Sequence, residues 1–483
     1  MRCHFTVYRF DPKADKKPRY QEYAVDAEPT DKILDCLNKI RWEQDPTLTY
    51  RYSCAHGICG SDALMINGRI ELACQKLVRD FKTGNNFVIE PLPLFDVVKD
   101  LIVDLEPFFE KYRQVQPYLI PGKNESDKEF IQQAENQKLM REFCSEQGIE
   151  LLFDVNSGVC HQVMVDHGLV YPGMILIATD SHTTTHGAFG AFGTGVGATD
   201  LAVIMATGHL WLRVPEIIRI NLSGNPPTGV YAKDIILHII GKLGADYAIY
   251  KAVDFSGPVL DKLSVSERMA LCNMTTEMGA KCAYIQPDSV TLDFLKQKVK
   301  RQFTIIESDA DFQYAEELFF DVSMVKPQLA APNSVDNVRP LSDLVGTPVH
   351  QAYLGSCTGG RAEDIAVAAS ILKDKQVNKN TRFVVVPASQ QVYLEALRNG
   401  DVETLLEAGA TFVTPGCAAC LGTHEGILAK GEVCIASTNR NFPGRMGHTQ
   451  SAVYLGSPAS VAAAALTGQI TDPSEILAKL QEA

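Results

Sequence analysis

The sequence predicts a small α+β domain followed by a larger α/β region with a largely parallel sheet. Three observations carry this. Short strand-like runs surround one helix in the first hundred residues. A polar stretch, Gly122 to Glu129, then interrupts the chain, and beyond about Ala134 strands and helices alternate. With 483 residues the chain is too long for one ordinary core. The expected domains are 1–121, a linker over 122–134, and 135–483, the last divided near residues 285 and 286.

In the first part, His4 to Phe10 alternates like a half-buried strand, Tyr20 to Val25 reads as a second, and Lys32 to Arg41 as an amphipathic helix. Asn67-Gly68 suits a hairpin turn within Met65 to Ile70, and Phe87 to Leu92 reads as a closing strand. Between helix and hairpin lies a glycine-rich loop, SCAHGICGSD. It starts a run of metal-ligand types, Cys54-x4-Cys59-x2-Asp62-x11-Cys74. That spacing is close to the plant-type [2Fe–2S] pattern, with aspartate in place of the third thiolate. The rival reading makes the cysteines small core residues. His56 reads as a polar loop residue, and Cys3 and Cys36 as core.

In the second part, Ala134 to Gln147 reads as a helix and Met174 to Ala178 as a strand. Cys357 and the pair Cys417-x2-Cys420 offer three thiolates, enough to hold three corners of a [4Fe–4S] cube and leave one iron open. An open iron is a Lewis acid, which is what the departure of hydroxide from a hydroxy acid requires. The alternative is a closed zinc site made by the same cysteines with Cys434. Asp180-Ser181-His182 forms a polar cluster after the Met174 strand, and a carboxylate beside imidazole suits proton transfer. The glycines from 187 to 197 lack both a Lys-Ser/Thr ending and a GxGxxG register. They read as close packing around the site, not as a nucleotide loop.

Composition narrows the partners. A net charge of −13 disfavours nucleic acid and anionic lipid. Thirteen scattered cysteines suit a reducing compartment and metal–thiolate chemistry rather than a disulfide framework. No apolar stretch is long enough to span a bilayer, and the start, MRCHFTVYRFDPKADKK, lacks a signal-peptide core. A soluble, cytoplasmic protein is therefore expected.

Two resemblances sharpen these readings. Residues of about 4 to 120, through SCAHGICGSDALMINGRIELAC, IEPLPLFDVVKDLIVDLEPFF and QPYLIP, resemble the ferredoxin-type (β-grasp) domain of succinate dehydrogenase and fumarate reductase iron–sulfur subunits. This implies a [2Fe–2S] cluster on Cys54, Cys59, Asp62 and Cys74. The cysteine-rich helical domain that follows in that family has no counterpart after Pro121.

From about residue 134 to the end, VCHQ, ATDSHTTTHGAFGAFGTGVGATD, CNMTTEMGA, GSCTGGRAEDI, TPGCAACLG and STNRNFPGRMG resemble the large subunits of 3-isopropylmalate dehydratase and homoaconitase in the aconitase superfamily. That resemblance implies three-layer α/β domains with a truncated first domain, and a [4Fe–4S] cluster on Cys357, Cys417 and Cys420. It also implies acid–base pairs His161–Asp180 and His182–Glu277. Ser181, Asn273, Arg440 and Arg445 would bind substrate, with Arg361 a weaker candidate. A separate small, swivel-domain subunit would complete the site. The family's N-terminal Asp-His pair has no counterpart, since Asp166-His167 stands in a different motif. His209, His238, His350 and His424 read as structural, while His167 and His186 stay open.

The activity implied is dehydration or hydration of a malate-type hydroxy acid, first 3-isopropylmalate, with homoaconitate, aconitate or a methylmalate as alternatives. An electron-transfer iron–sulfur protein and an inactive fusion are the other readings.

Overall fold

The computed structural model describes residues 1–483 except 56, 58, 59, 82–84, 108–128, 310, 423, 424 and 483, with side chains of 129–133, 481 and 482 also excluded. Cys59, His56, His424, the motif QPYLIP and the first part of the expected linker lie outside the described residues. The chain divides into two compact units: Met1–Gly122 with Val196–Leu212, and Lys123–Gly195 with Arg213–Ala483.

In the first unit, Cys3, Phe5, Val7 and Arg9 face inward from the strand Arg2–Arg9. That alternation builds a five-stranded sheet in the order Arg19–Asp26, Arg2–Arg9, Asn86–Glu90, Ala63–Ile66, Arg69–Leu72. Arg2–Arg9 runs parallel to Asn86–Glu90 and antiparallel to Arg19–Asp26. The helix Ile33–Lys39 buries Ile33, Leu34, Cys36 and Leu37 in the same core as Phe5, Val7 and Phe87. This is the expected β-grasp arrangement. Buried Arg9 would be costly alone, but Asp100, Tyr23, Asp45 and Thr47 all accept from its guanidinium.

The second unit contains two main sheets. Four parallel strands run in the order Cys282–Ile285, Ala252–Ser256, Ile217–Ser223, Glu316–Asp321. A seven-stranded sheet follows the order Val338–Pro340, Gln328–Ala330, Ala452–Leu455, Val433–Ala436, Gln351–Gly355, Arg382–Val386, Thr411–Phe412, the last five mutually parallel. Both faces of this sheet are covered. Ala352, Leu354, Phe383 and Val385 pack with Ile365, Ala368 and Ala462, whereas Tyr353, Val384, Val386 and Ala436 share a core with Ile236, Ile240 and Leu271. The result is a three-layer α/β/α arrangement.

Two expected boundaries move. The helix expected from Ala134 already spans Glu129–Glu146. The division expected at residues 285 and 286 does not separate the sheets: Glu316–Asp321 pairs with Ile217–Ser223, so the first sheet extends to Asp321 and the second begins at Gln328. Glu316–Asp321 alternates exposed and half-buried residues, so it resembles an edge strand of either sheet in sequence. Only its partner decides.

Arg268 anchors this unit. It is fully buried, and its guanidinium donates to both carboxylate oxygens of Asp288 (2.6 and 2.7 Å), to Thr291 Oγ1 and to the carbonyls of Leu260 and Leu263. Arg268→Ala is expected to cost about 3–5 kcal/mol of stability, because it strands these acceptors. Chemical denaturation of the two proteins measures this directly.

Candidate active site

Chain geometry brings the candidate residues to the carboxyl ends of parallel strands, the usual place for ligand contacts in such sheets. Cys357 follows the strand Gln351–Gly355, Cys417 and Cys420 follow Thr411–Phe412, and Asn439 and Arg440 follow Val433–Ala436. Asp180 follows Ile175–Ala178 and caps the helical segment Ser181–Phe189, accepting from His182 N at 2.8 Å. His161 sits in the helix Cys160–Asp166, which Val159 N pins to the Ala388 carbonyl at 2.8 Å.

Two glycines allow the close approach. A Cβ on Gly195 would lie 2.7 Å from the Asp180 carbonyl, and one on Gly359 would lie 2.4 Å from the Ser437 side chain. The glycine run is therefore packing against Asp180 and its neighbours, as expected. Among the non-glycine residues with left-handed backbone, three adjoin candidate ligand cysteines: Ala55, Ser356 and Ala418, with φ of 56°, 69° and 42°. Such strain persists where surrounding structure over-determines it, which is common at functional sites.

The acid–base pairs are assembled. His161 Nε2 lies 3.2 Å from Asp180 Oδ1, and His182 Nε2 lies 2.8 Å from Glu277 Oε1. Burial works against a charged His161 ring, but the neighbouring Cys160 and Asp180 outweigh it and raise its pKa well above the ordinary value. Burial pushes Asp180 upward, but hydrogen bonds from His161 and His182 hold it well below the usual carboxylate range. Glu277 also accepts from Arg440 Nε at 2.8 Å, and Arg440 Nη2 donates to Ser181 Oγ at 3.0 Å. Arg440 is thus buried and aimed, not a loose surface arginine.

Arg445 is half-buried, with its carbonyl against Gly422, two residues beyond Cys420. Arg361 braces the cysteine turn instead of facing a substrate: its Nη2 donates to the Cys357 carbonyl.

The cysteine set fits an iron–sulfur cube. Asn273 Nδ2 and Asn439 Nδ2 aim at Cys357 Sγ, at 3.1 and 3.3 Å. Burial raises the Cys357 and Cys417 thiol pKa values, and on Cys417 the nearby Cys420, Cys357, Asp180 and Cys160 push the same way. Thiols crowded in this way ionise only with cationic metal among them. Cys434, the fourth member of the zinc alternative, is instead a core residue of the strand Val433–Ala436.

In the first unit, Cys74 Sγ lies 3.2 Å from Asp62 Oδ1, accepts from Gly57 N at 2.9 Å, and feels the charge of Cys54. Cys74 and Asp62, two of the expected [2Fe–2S] ligands, are therefore side by side. Cys3 and Cys36 are fully buried in the core.

Several other residues behave as packing. Asp166 accepts from Gln162 Nε2 (2.9 Å) and Ser389, and His167 packs at a tilt against Phe153 with ring centroids 4.4 Å apart. His350 Nδ1 accepts from Val433 N. His186 is fully buried, edge-on to His161 at 5.5 Å. The sequence reading missed Lys233, whose Nζ donates to the carbonyls of Thr438 (2.6 Å) and Ser437 (3.2 Å) and to Met274 Sδ. Burial lowers its pKa to about 8, against the opposing charges of Cys357 and Glu277. Its signal was available: Lys233 stands in register with Ile236, Leu237 and Ile240, on the apolar face of the helix Ala232–Leu243. It ties that helix to the segment carrying Asn439 and Arg440.

The aconitase family model (aconitate hydratase) matches residues 114–348 and 342–468, and a 2Fe-2S iron-sulfur cluster binding domain model matches residues 4–110. The chain is 51% identical over 347 residues to "3-isopropylmalate dehydratase large subunit 1" of Methanopyrus kandleri, covering 72% of this chain and 83% of that one. It is also 51% identical over 342 residues to a Methanothermobacter thermautotrophicus protein named "Probable methanogen homoaconitase large subunit", covering 71% and 80%. A 3-isopropylmalate dehydratase large subunit of Hydrogenobaculum sp. is 43% identical over 397 residues, covering 82% and 92%. The three thiols, the paired histidines and carboxylates and these matches agree, and the chain belongs to the aconitase family of hydro-lyases, with a [2Fe–2S]-binding domain joined ahead of the catalytic region.

Proposed function

We propose that the chain is the large subunit of a two-subunit hydro-lyase that interconverts a malate-type hydroxy acid and its alkene, with 3-isopropylmalate the leading substrate. The observation that carries this reading is the convergence of Cys357, Asn273, the His161–Asp180 pair and the Glu277–His182–Arg440 cluster in one unit. Cys357, Cys417 and Cys420 would hold the [4Fe–4S] cluster, which supplies a Lewis acid that weakens the C–O bond to the leaving hydroxyl.

The side chains of this unit protonate the leaving oxygen and hold the substrate, while the group that takes the C–H proton is assigned to the small subunit's share of the pocket. His161, kept protonated beside Asp180, donates a proton from its ring nitrogen to the departing oxygen. Arg440, with two of its donors fixed by Glu277 and Ser181, turns the rest of its planar fork to a substrate carboxylate. Arg445, whose backbone carbonyl packs beside Gly422 next to the cysteine turn, is assigned the second carboxylate. Glu277 fixes both the His182 tautomer and the Arg440 angle. A small subunit supplies the rest of the pocket, as the names of the relatives suggest. The first unit, in which Cys74 and Asp62 stand side by side, serves as an attached electron carrier or redox sensor.

The test is anaerobic reconstitution with iron and sulfide, addition of a small subunit from a relative, and measurement of alkene absorbance from 3-isopropylmalate and from homocitrate. Turnover of the first supports the full proposal, and turnover of homocitrate alone moves the substrate while keeping the reaction. No turnover of either, in protein carrying a four-iron cluster, refutes it.

A further inference from the structure

We propose that Cys160, His161 and Asp180 form a three-donor site for a zinc-class divalent cation, and that a cation bound there shuts off the acid–base pair. Donor atoms of these three residues all lie within 4.8 Å of one another. Cys160 Sγ stands 3.7 Å from His161 Nδ1 and 3.9 Å from Nε2, and His161 Nε2 stands 3.2 Å from Asp180 Oδ1. A tetrahedral zinc ion with sulfur at about 2.3 Å and nitrogen or oxygen at about 2.0–2.1 Å needs ligand–ligand edges of about 3.3–3.6 Å. The nitrogen–oxygen edge already fits, whereas the sulfur, nearly equidistant from the two ring nitrogens, must swing by side-chain rotation from beside the ring toward the lone pair of one of them.

The donor types point to the same cation. Thiolate, imidazole and carboxylate together suit a borderline-soft ion, and three protein donors leave a fourth position for water. The donors are held in place beforehand. Asp180 is fixed as a helix cap, and the helix bearing Cys160 and His161 is pinned through Val159. Access is open from one side, because Cys160 is exposed and the Asp180 side chain is 42% exposed, while His161 forms the buried floor.

Occupation would displace the ring proton that His161 donates and engage the charge of Asp180, the two groups assigned to proton transfer. The blocking effect, though not the binding, rests on that assignment.

The experiment titrates zinc into the anaerobically cluster-loaded chain against a fluorescent chelator and records the zinc X-ray absorption edge. One zinc per chain with a single sulfur and otherwise nitrogen or oxygen neighbours is expected. Cys160→Ala should weaken binding at least about tenfold and remove the sulfur neighbour. The zinc concentration that halves each protein's own zinc-free rate should rise with it. Equal affinity in Cys160→Ala, a sulfur-rich zinc shell with loss of iron, or bound zinc with undiminished turnover each overturns the proposal. A wild-type chain that binds zinc as expected but turns over no hydroxy acid overturns the hydro-lyase reading and leaves the metal site standing.

Discussion

Cys357→Ser should abolish turnover and lower the iron content from about six atoms per chain to about two. The loss is expected to be total because Cys357 has no substitute among the described residues around it. Its sulfur is the common acceptor of Asn273 and Asn439, and its turn is fixed by the strained Ser356 and by Arg361 at its carbonyl. Serine keeps the shape but binds iron weakly, so the protein should fold with the first unit's two irons intact. Iron and sulfide assays beside the alkene assay check both halves of this expectation. Six irons in the variant would show that the cube is held elsewhere.

Glu277→Gln should lower turnover by about 10²–10³-fold with little change in iron content. One carboxylate oxygen here serves both His182 and Arg440. The amide removes the charge that steadies Arg440 and offers an N–H where His182 and Arg440 each meet an acceptor. If Arg440 holds a substrate carboxylate through this bond, KM should rise together with the fall in kcat. A variant changed in stability alone would show neither change once folded protein is counted. Steady-state kinetics on material matched for iron separates the two.

Much of the site was legible in the chain because its chemistry is local in sequence. Cys417-x2-Cys420 and Asp180-Ser181-His182 each lie within one turn, so spacing alone announced them. The pairing of His161 with Asp180, and of His182 with Glu277 across 95 residues, came from the family resemblance, and the geometry places both pairs within hydrogen-bonding reach.

What the sequence concealed depends on partners brought from afar. The apolar register of Lys233 hints at burial, but its carbonyl acceptors on Ser437 and Thr438 lie more than two hundred residues later and cannot be read from the sequence. Cys160 read only as part of a motif, because nothing in the sequence says that its sulfur reaches toward Asp180. The strand Glu316–Asp321 is hard to place from sequence for the same reason: edge strands carry little pattern of their own.

The central claim is that hydro-lyase chemistry belongs to Cys357, Cys417 and Cys420 and does not need the cluster of the first unit. Anaerobic turnover of a Cys54→Ser, Cys74→Ser chain, paired with a small subunit and containing four irons, tests it most directly. Alkene formation from 3-isopropylmalate at a rate close to that of the unaltered chain is expected. Loss of turnover with all four irons of the cube in place would contradict it and move the first cluster into the reaction.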